Sequence, residues 1–271
     1  MKEVALNAVV AQRIDVASGL MVLRIAPDGW ALPAFQPGQF AVVGLPASAP
    51  RTPLADPEDP GADPARFIRR AYSIASPSAP GEHLELFVTL VRSGELTPRL
   101  WSLKPGDRVW VGPKITGMFT LDAVAPEQHL VFVATGTGLA PYMSMLRTGL
   151  GSVPGRRHAV LIGARHSWDI GYVSELTMMQ RLVPGFAFLP IVSRPKEEPT
   201  AWGGPVGHVQ SLWTGGAVER SWGTPPRPED THVFLCGAPA MIEDMSRLLV
   251  EQGYRVHDKK TPGQVHVEKY W

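Results

Sequence analysis

Leu130-Val131-Phe132-Val133-Ala134 runs without interruption into Thr135-Gly136-Thr137-Gly138-Leu139-Ala140-Pro141. Five apolar residues in succession fit a strand buried on both faces, as in a parallel sheet. The glycines let backbone approach a phosphate closely. The helix read over Tyr142 to Arg147 adds free N–H groups and a favourable dipole. The segment is not a GxGxxG fingerprint, because Pro141 stands where the third glycine belongs. It is not a P-loop either, because no Lys-Ser/Thr follows. Taken alone, it is also compatible with an ordinary tight strand-to-helix turn.

The pattern repeats downstream. Strands are expected over Ala159 to Gly163, Ala187 to Val192 and His232 to Leu235, and helices over Val173 to Leu182 and Ala240 to Glu251. Such alternation predicts a doubly wound α/β parallel sheet over residues 122–271. A second glycine turn, Leu235-Cys236-Gly237-Ala238-Pro239, joins strand to helix. In such a sheet, ligands bind at the carboxyl ends of the strands, where both turns fall. Arg165 and Arg194 also follow strands, and either guanidinium suits a phosphate. A solvated surface arginine is the competing reading.

Residues 1–121 read differently. Val4 to Ile14, Leu20 to Ala26, Ala41 to Leu45, Arg70 to Ile74, Leu84 to Val91 and Asp107 to Val111 are short strand patterns punctuated by turns. One helical pattern, Leu96 to Leu103, places Leu96, Leu100 and Leu103 on one face. This predicts an antiparallel barrel. The proline-rich stretch Pro46 to Pro64 reads as a solvated, mobile loop or insertion. In Arg70-Ala71-Tyr72-Ser73 a cation, an aromatic ring and a hydroxyl sit close together, able to meet a phosphate, a flat ring and a ring nitrogen. A surface strand with a packed tyrosine is the alternative.

Composition excludes several classes. A formal charge of +1 argues against a nucleic-acid binder. One cysteine excludes an internal disulfide framework and an iron–sulfur cluster held by this chain's cysteines alone. No run of about 20 apolar residues occurs, and the first residues lack the apolar core of a signal peptide. The expectation is a soluble, cytoplasmic monomer with no metal. The eight histidines show no zinc-ligand spacing, and no GxSxG occurs. Cys236 is either reactive or simply buried. The terminus Val267-Glu268-Lys269-Tyr270-Trp271 carries two aromatics, which suggests docking on something flat or core packing.

The ordered set of segments resembles the ferredoxin–NADP reductase family, closely its bacterial ferredoxin/flavodoxin reductases. It includes QPGQF (36–40), RAYS (70–73), GELTPRLWSLKPGD (94–107), GMFTLD (117–122), ATGTGLAPYMS (134–144), LIGAR (161–165), VSR (192–194), LCGAPAM (235–241) and the aromatic end. The resemblance implies an FAD-binding barrel followed by an NADP-binding domain. It implies electron transfer between NADPH and ferredoxin or flavodoxin, with hydride passing between nicotinamide C4 and flavin N5. On individual residues it implies Arg70 at the FAD pyrophosphate, Ala71 and Tyr72 at the isoalloxazine, and Ser73 near N5. Phe87, Val88, Thr89 and Leu90, with Glu95, Leu96 and Thr97, match segments that hold the ribityl and diphosphate portions. Thr137 falls near flavin and nicotinamide. Ala164, Arg165, Ser193 and Arg194 match the part that reads the NADP 2′-phosphate, and Ala238, Pro239, Ala240 and Asp244 match another NADP-contacting segment. Ser73, Cys236, Glu268 and Tyr270 are the catalytic candidates; Tyr270 and Trp271 cover the flavin and its adenine.

Two departures stand out. Bacterial members often carry a Gly-Arg pair after the VSR strand, whereas this chain has Gly207-His208. A mostly neutral imidazole does not replace an always-charged guanidinium. The Pro46 to Pro64 stretch is longer than the family pattern. The rival readings are an NADH-preferring reductase component for an oxygenase or another acceptor, and a flavin-free nucleotide-binding module.

Overall fold

The computed structural model describes residues 4–58, 63, 65–79 and 81–269. The chain forms two compact units. The first runs to Thr120 and includes Met143–Thr148; the second takes Leu121–Tyr142 and the chain from Gly149 onward.

In the first unit, strands β1 (Ala8–Ala17), β2 (Leu20–Pro27), β3 (Phe40–Pro46), β4 (Phe67–Ser73), β5 (Leu84–Thr89) and β6 (Arg108–Thr116) form one sheet in the order β4-β3-β6-β1-β2-β5. All their pairings are antiparallel. A bridge between Ile74 and Leu86 joins the two ends, so the sheet closes as a barrel. Closure removes exposed strand edges. Alternate residues fill the interior, among them Met21, Leu23, Ile25, Ala41, Val43, Ile68, Leu84 and Leu86.

Helix α1 (Thr97–Leu100) is shorter than the expected 96–103, with Pro98 in its first turn. Lys104-Pro105-Gly106 ends any continuation. The expected apolar face is real, because Leu96, Leu100 and Leu103 are all buried. The described part of the proline-rich stretch is tied down, contrary to expectation. The Ala47 N–H donates to the Arg66 carbonyl at 2.8 Å, Thr52 N–H to Pro98 at 3.0 Å, and Asp56 N–H to Arg92 at 3.0 Å. Arg99, on α1, reaches into it: Nη1 and Nη2 donate to the Glu58 carboxylate at 3.0 and 2.7 Å. Nη1 also donates to the Glu95 carbonyl at 2.7 Å, and Nη2 to the Ala47 carbonyl. Composition registers the prolines but not this anchor.

The second unit holds β7 (His129–Thr135), the two ends of α2 (Ala140–Gly149, whose stretch Met143–Thr148 counts with the first unit), β8 (His158–Ala164), α3 (Val173–Leu182), β9 (Phe186–Val192), α4 (Val209–Thr214), α5 (Ala217–Trp222), β10 (Thr231–Cys236), α6 (Pro239–Glu251) and β11 (Val265–Glu268). The five strands are parallel, in the order β11-β10-β7-β8-β9. Strand order reverses between β7 and β10, the switch point of a doubly wound sheet. Every residue from Leu130 to Ala134 is buried. Tyr142 Oη donates to the Phe234 carbonyl of β10 at 2.8 Å and lies 3.1 Å from the Val133 carbonyl of β7. Helices α4 and α5, six residues each, are too short to show a helical period, yet they bury Trp213 and Trp222. The first two residues of the aromatic terminus, Val267 and Glu268, are half-buried in an edge strand: β11 pairs with β10 from Val265 to Glu268.

Candidate functional site

In the first unit, β4 presents the cation–aromatic–hydroxyl set. Ser73 is buried, Tyr72 is half-buried against the barrel core, and Arg70 is exposed. Burial pushes the Tyr72 phenol well above its usual range, so it stays neutral. Arg70 Nη2 donates to Glu95 at 2.7 Å, and Arg66 grips the other oxygen of the same carboxylate. The hydrogen bond from Arg66, reinforced by Arg70, holds Glu95 below the ordinary carboxylate range. Two guanidiniums therefore converge at one point next to α1. Thr97 Oγ1 accepts from the Val91 N–H at 3.0 Å, which shapes the loop from β5 into α1. Phe87, Val88 and Leu96 have buried side chains, those of Val88 and Leu96 in the barrel core. Thr89 is exposed, and Leu90 and Ala71 are at the surface or half-buried. Arg66, just ahead of β4, has as its only sequence signal a basic residue near Arg70.

In the second unit, the two glycine turns meet at the switch point. Thr135 Oγ1, at the end of β7, accepts from the Ala238 N–H at 2.8 Å. A Cβ on Gly138 would fall on the Cys236 carbonyl, and one on Gly237 (φ +139°) on the Thr135 side chain. Neither position accepts another residue without moving backbone. Ala238, Pro239 and Ala240 are at the mouth of this cradle and exposed, and Thr137 is half-exposed. Cys236, fully buried, and Glu268 are paired in register on β10 and β11, and the thiol lies 3.9 Å from a Glu268 carboxylate oxygen. Asp244, on α6, pairs with Arg247 at 2.8 Å and accepts from Gln210 at 3.3 Å. Tyr270 and Trp271 lie outside the described residues.

The turns after β8 and β9 are also side by side. Ser193 N–H donates to the Ala164 carbonyl at 3.0 Å and Arg194 N–H to the Arg165 carbonyl at 2.9 Å. Arg165 and Arg194 are exposed there, with His166 between acids: Nδ1 is 3.0 Å from Asp169 and Nε2 2.7 Å from Glu197. The Glu197 contact, then Asp169, raises the His166 pKa. His208, at the start of α4, is exposed.

Both places fit nucleotide chemistry on geometry alone. One offers converging guanidiniums beside an aromatic ring and a hydroxyl; the other offers a side-chain-free cradle at a switch point with arginines on the next two turns.

Residues 132–247 match the family model described as "Oxidoreductase NAD-binding domain", so this part of the chain is the dinucleotide half of an oxidoreductase. The flavodoxin/ferredoxin–NADP reductase of Escherichia coli (strain K12) is 33% identical over 240 residues, 88% of each chain. The ferredoxin–NADP reductase of Pseudomonas aeruginosa is 30% identical over 245 residues, 87% of this chain and 86% of that one. The crystal structure of a ferredoxin NADP+ reductase from Neisseria gonorrhoeae with bound FAD and NADP has the same fold. Its TM-score is 0.79 at 22% identity, over 98% of both chains. This chain belongs to the ferredoxin–NADP reductase family.

Proposed function

We propose that this enzyme uses FAD and NADP(H) to carry electrons between NADPH and a ferredoxin or flavodoxin. The observation that carries the reading is the pair of nucleotide-fitting places, the Arg70–Ser73 strand of the barrel and the glycine turns at the β7/β10 switch point. When bound, the flavin exchanges hydride with nicotinamide C4 at N5 and releases electrons singly, which is the chemistry the protein lacks.

The chain's own residues bind and orient. Arg70 and Arg66 hold the FAD diphosphate, with Glu95 limiting how far the two guanidiniums can spread. The half-buried Tyr72 offers its ring face to the isoalloxazine, and the Ser73 hydroxyl supplies a hydrogen bond at N5. Backbone of Phe87 to Leu90 and of Glu95 to Thr97 lines the ribityl and diphosphate portions. In the second unit, the cradle at Gly138 and Gly237, with Thr137 and Ala238 to Ala240, takes the dinucleotide backbone. Arg165 and Arg194, with Ala164 and Ser193, meet the 2′-phosphate. Glu268 holds or moves a proton near the nicotinamide, and Cys236 donates its S–H to that carboxylate. Tyr270 and Trp271 are assigned to cover the flavin. No residue acts as a covalent nucleophile.

The acceptor is tested by reducing the FAD-loaded protein anaerobically with NADPH and mixing it with a ferredoxin or a flavodoxin. Reduction of either acceptor, at a rate that rises with its concentration, is expected. Flavin that NADPH reduces but neither acceptor reoxidises would overturn the assignment of partner.

A further inference from the structure

We infer that Glu197 is a built-in competitor for the 2′-phosphate of the dinucleotide and thereby sets how strongly this enzyme prefers NADP(H) over NAD(H). The inference rests on the reading that Arg165 and Arg194 face that phosphate. The two turns that carry these arginines are already stapled without Glu197. Backbone bonds join Ser193 to Ala164 and Arg194 to Arg165, and Glu198 accepts from both the N–H and the hydroxyl of Ser167, at 2.6 and 2.7 Å. Glu197 has a different position. Its carboxylate lies 3.7 Å from Arg194 and 2.7 Å from His166. Among the described residues it alone touches both Arg194 and His166. His166 is held in place on its other sides by Asp169 and by the Trp168 ring, stacked 4.4 Å away at 8°. Arg165, by contrast, makes no ion pair among the described residues.

A phosphate that arrives at Arg165 and Arg194 thus finds one arginine already partnered by a carboxylate. Either Glu197 swings away, giving up its contacts, or its charge stays within a few ångströms of the phosphate. Like charges at such separations in water cost about a factor of five per charge pair, and salt reduces this at an exposed site. Removing the Glu197 charge is therefore expected to tighten binding of a 2′-phosphorylated nucleotide roughly three- to tenfold. A nucleotide without that phosphate should be unaffected.

The test is calorimetric titration of the full-length, FAD-loaded protein with 2′,5′-ADP and with 5′-AMP. Four proteins are compared: wild type, Glu197→Gln, Glu197→Ala and Arg194→Met. Both Glu197 variants should bind 2′,5′-ADP roughly three- to tenfold more tightly while 5′-AMP binding stays within twofold. Unchanged 2′,5′-ADP affinity in Glu197→Gln, or parallel weakening of both ligands in Glu197→Ala, would make Glu197 a structural staple and overturn the inference. Arg194→Met reports separately on the underlying reading: it should weaken 2′,5′-ADP at least tenfold and leave 5′-AMP alone. If it changes neither ligand, the phosphate site has been misplaced, whatever the Glu197 variants do.

Discussion

Glu58→Gln removes the charge from the anchor that holds the proline-rich stretch to α1. Arg99 is 2% exposed and Glu58 28%, and the two share a forked pair of hydrogen bonds of 3.0 and 2.7 Å. Breaking a fully buried pair costs about 3–5 kcal/mol. Here Glu58 keeps some water, and Arg99 retains the Ala47 and Glu95 carbonyls, so about 2 kcal/mol is the reasonable size. For a unit of this length that corresponds to a melting shift of about 4–8 °C or more. The same guanidinium fixes the Glu95 carbonyl, in the loop assigned to the FAD diphosphate, so faster FAD release should accompany the loss. The assays are thermal melts of the apo and FAD-loaded proteins at pH 7, and FAD fluorescence on dilution. The hydrogen bond from Arg99 lowers the Glu58 pKa, so this anchor contributes above the unfolded value of 4.5 and is lost as pH falls through the lower folded value. The variant should therefore lack that part of the acid dependence. A variant that melts within 1 °C of wild type and releases FAD at the same rate would refute the anchor.

Gly138→Ala should disable dinucleotide binding while leaving the barrel intact. Its Cβ falls on the Cys236 carbonyl, so NADP binding should drop at least tenfold while FAD content is retained; full NADP affinity in this variant would remove the cradle from the account. Acid stability is the other expectation. Burial above all, with neighbouring cationic groups, lowers His158 and His232 to about 4 and His266 to about 3. Their neutral forms are the folded ones, so stability is full above the unfolded value of 6.5 and is lost progressively as pH falls from there toward 4 and 3. A tenfold difference in proton affinity between the folded and unfolded chain is worth about 1.36 kcal/mol, and His232 and His266, 2.8 Å apart, contribute as one pair beside His158. Urea melts between pH 7.5 and 5 should show the loss, and His266→Phe, whose neighbour Phe234 already stacks at 4.2 Å, should flatten the slope. A slope identical to wild type would count against it.

Much of this fold is legible from period and punctuation. The unbroken Leu130–Ala134 run, the two glycine turns and the alternation after them identify the parallel sheet, and α3 spans the expected Val173–Leu182. Short strands between Gly and Pro turns identify the barrel. What period cannot reveal is long-range pairing. Helices of six residues such as α4 and α5 are under two turns, and Val267 and Glu268 look like the start of a tail until β10 is placed next to them. Proline content gives Pro46 to Pro64 the composition of a loop; one buried arginine 41 residues further along, at Arg99, ties Glu58 down. The candidate sites divide in the same way. Arg70, Tyr72 and Ser73 stand out as residue types along one strand, and Arg165 and Arg194 as arginines that follow strands. Arg66, Thr135, His166 and Glu197 enter the candidate sites through contacts that only the folded chain brings together.

The most direct measurement is an anaerobic titration of the FAD-loaded protein with NADPH and, separately, with NADH, following the flavin absorbance. Bleaching by NADPH at a concentration well below that needed with NADH is the predicted result, because the proposed site has Arg165 and Arg194 reading the 2′-phosphate even with Glu197 beside Arg194. Bleaching by NADH at equal or lower concentration would contradict the account and point to an NADH-dependent reductase, with His208 the first position to convert to arginine.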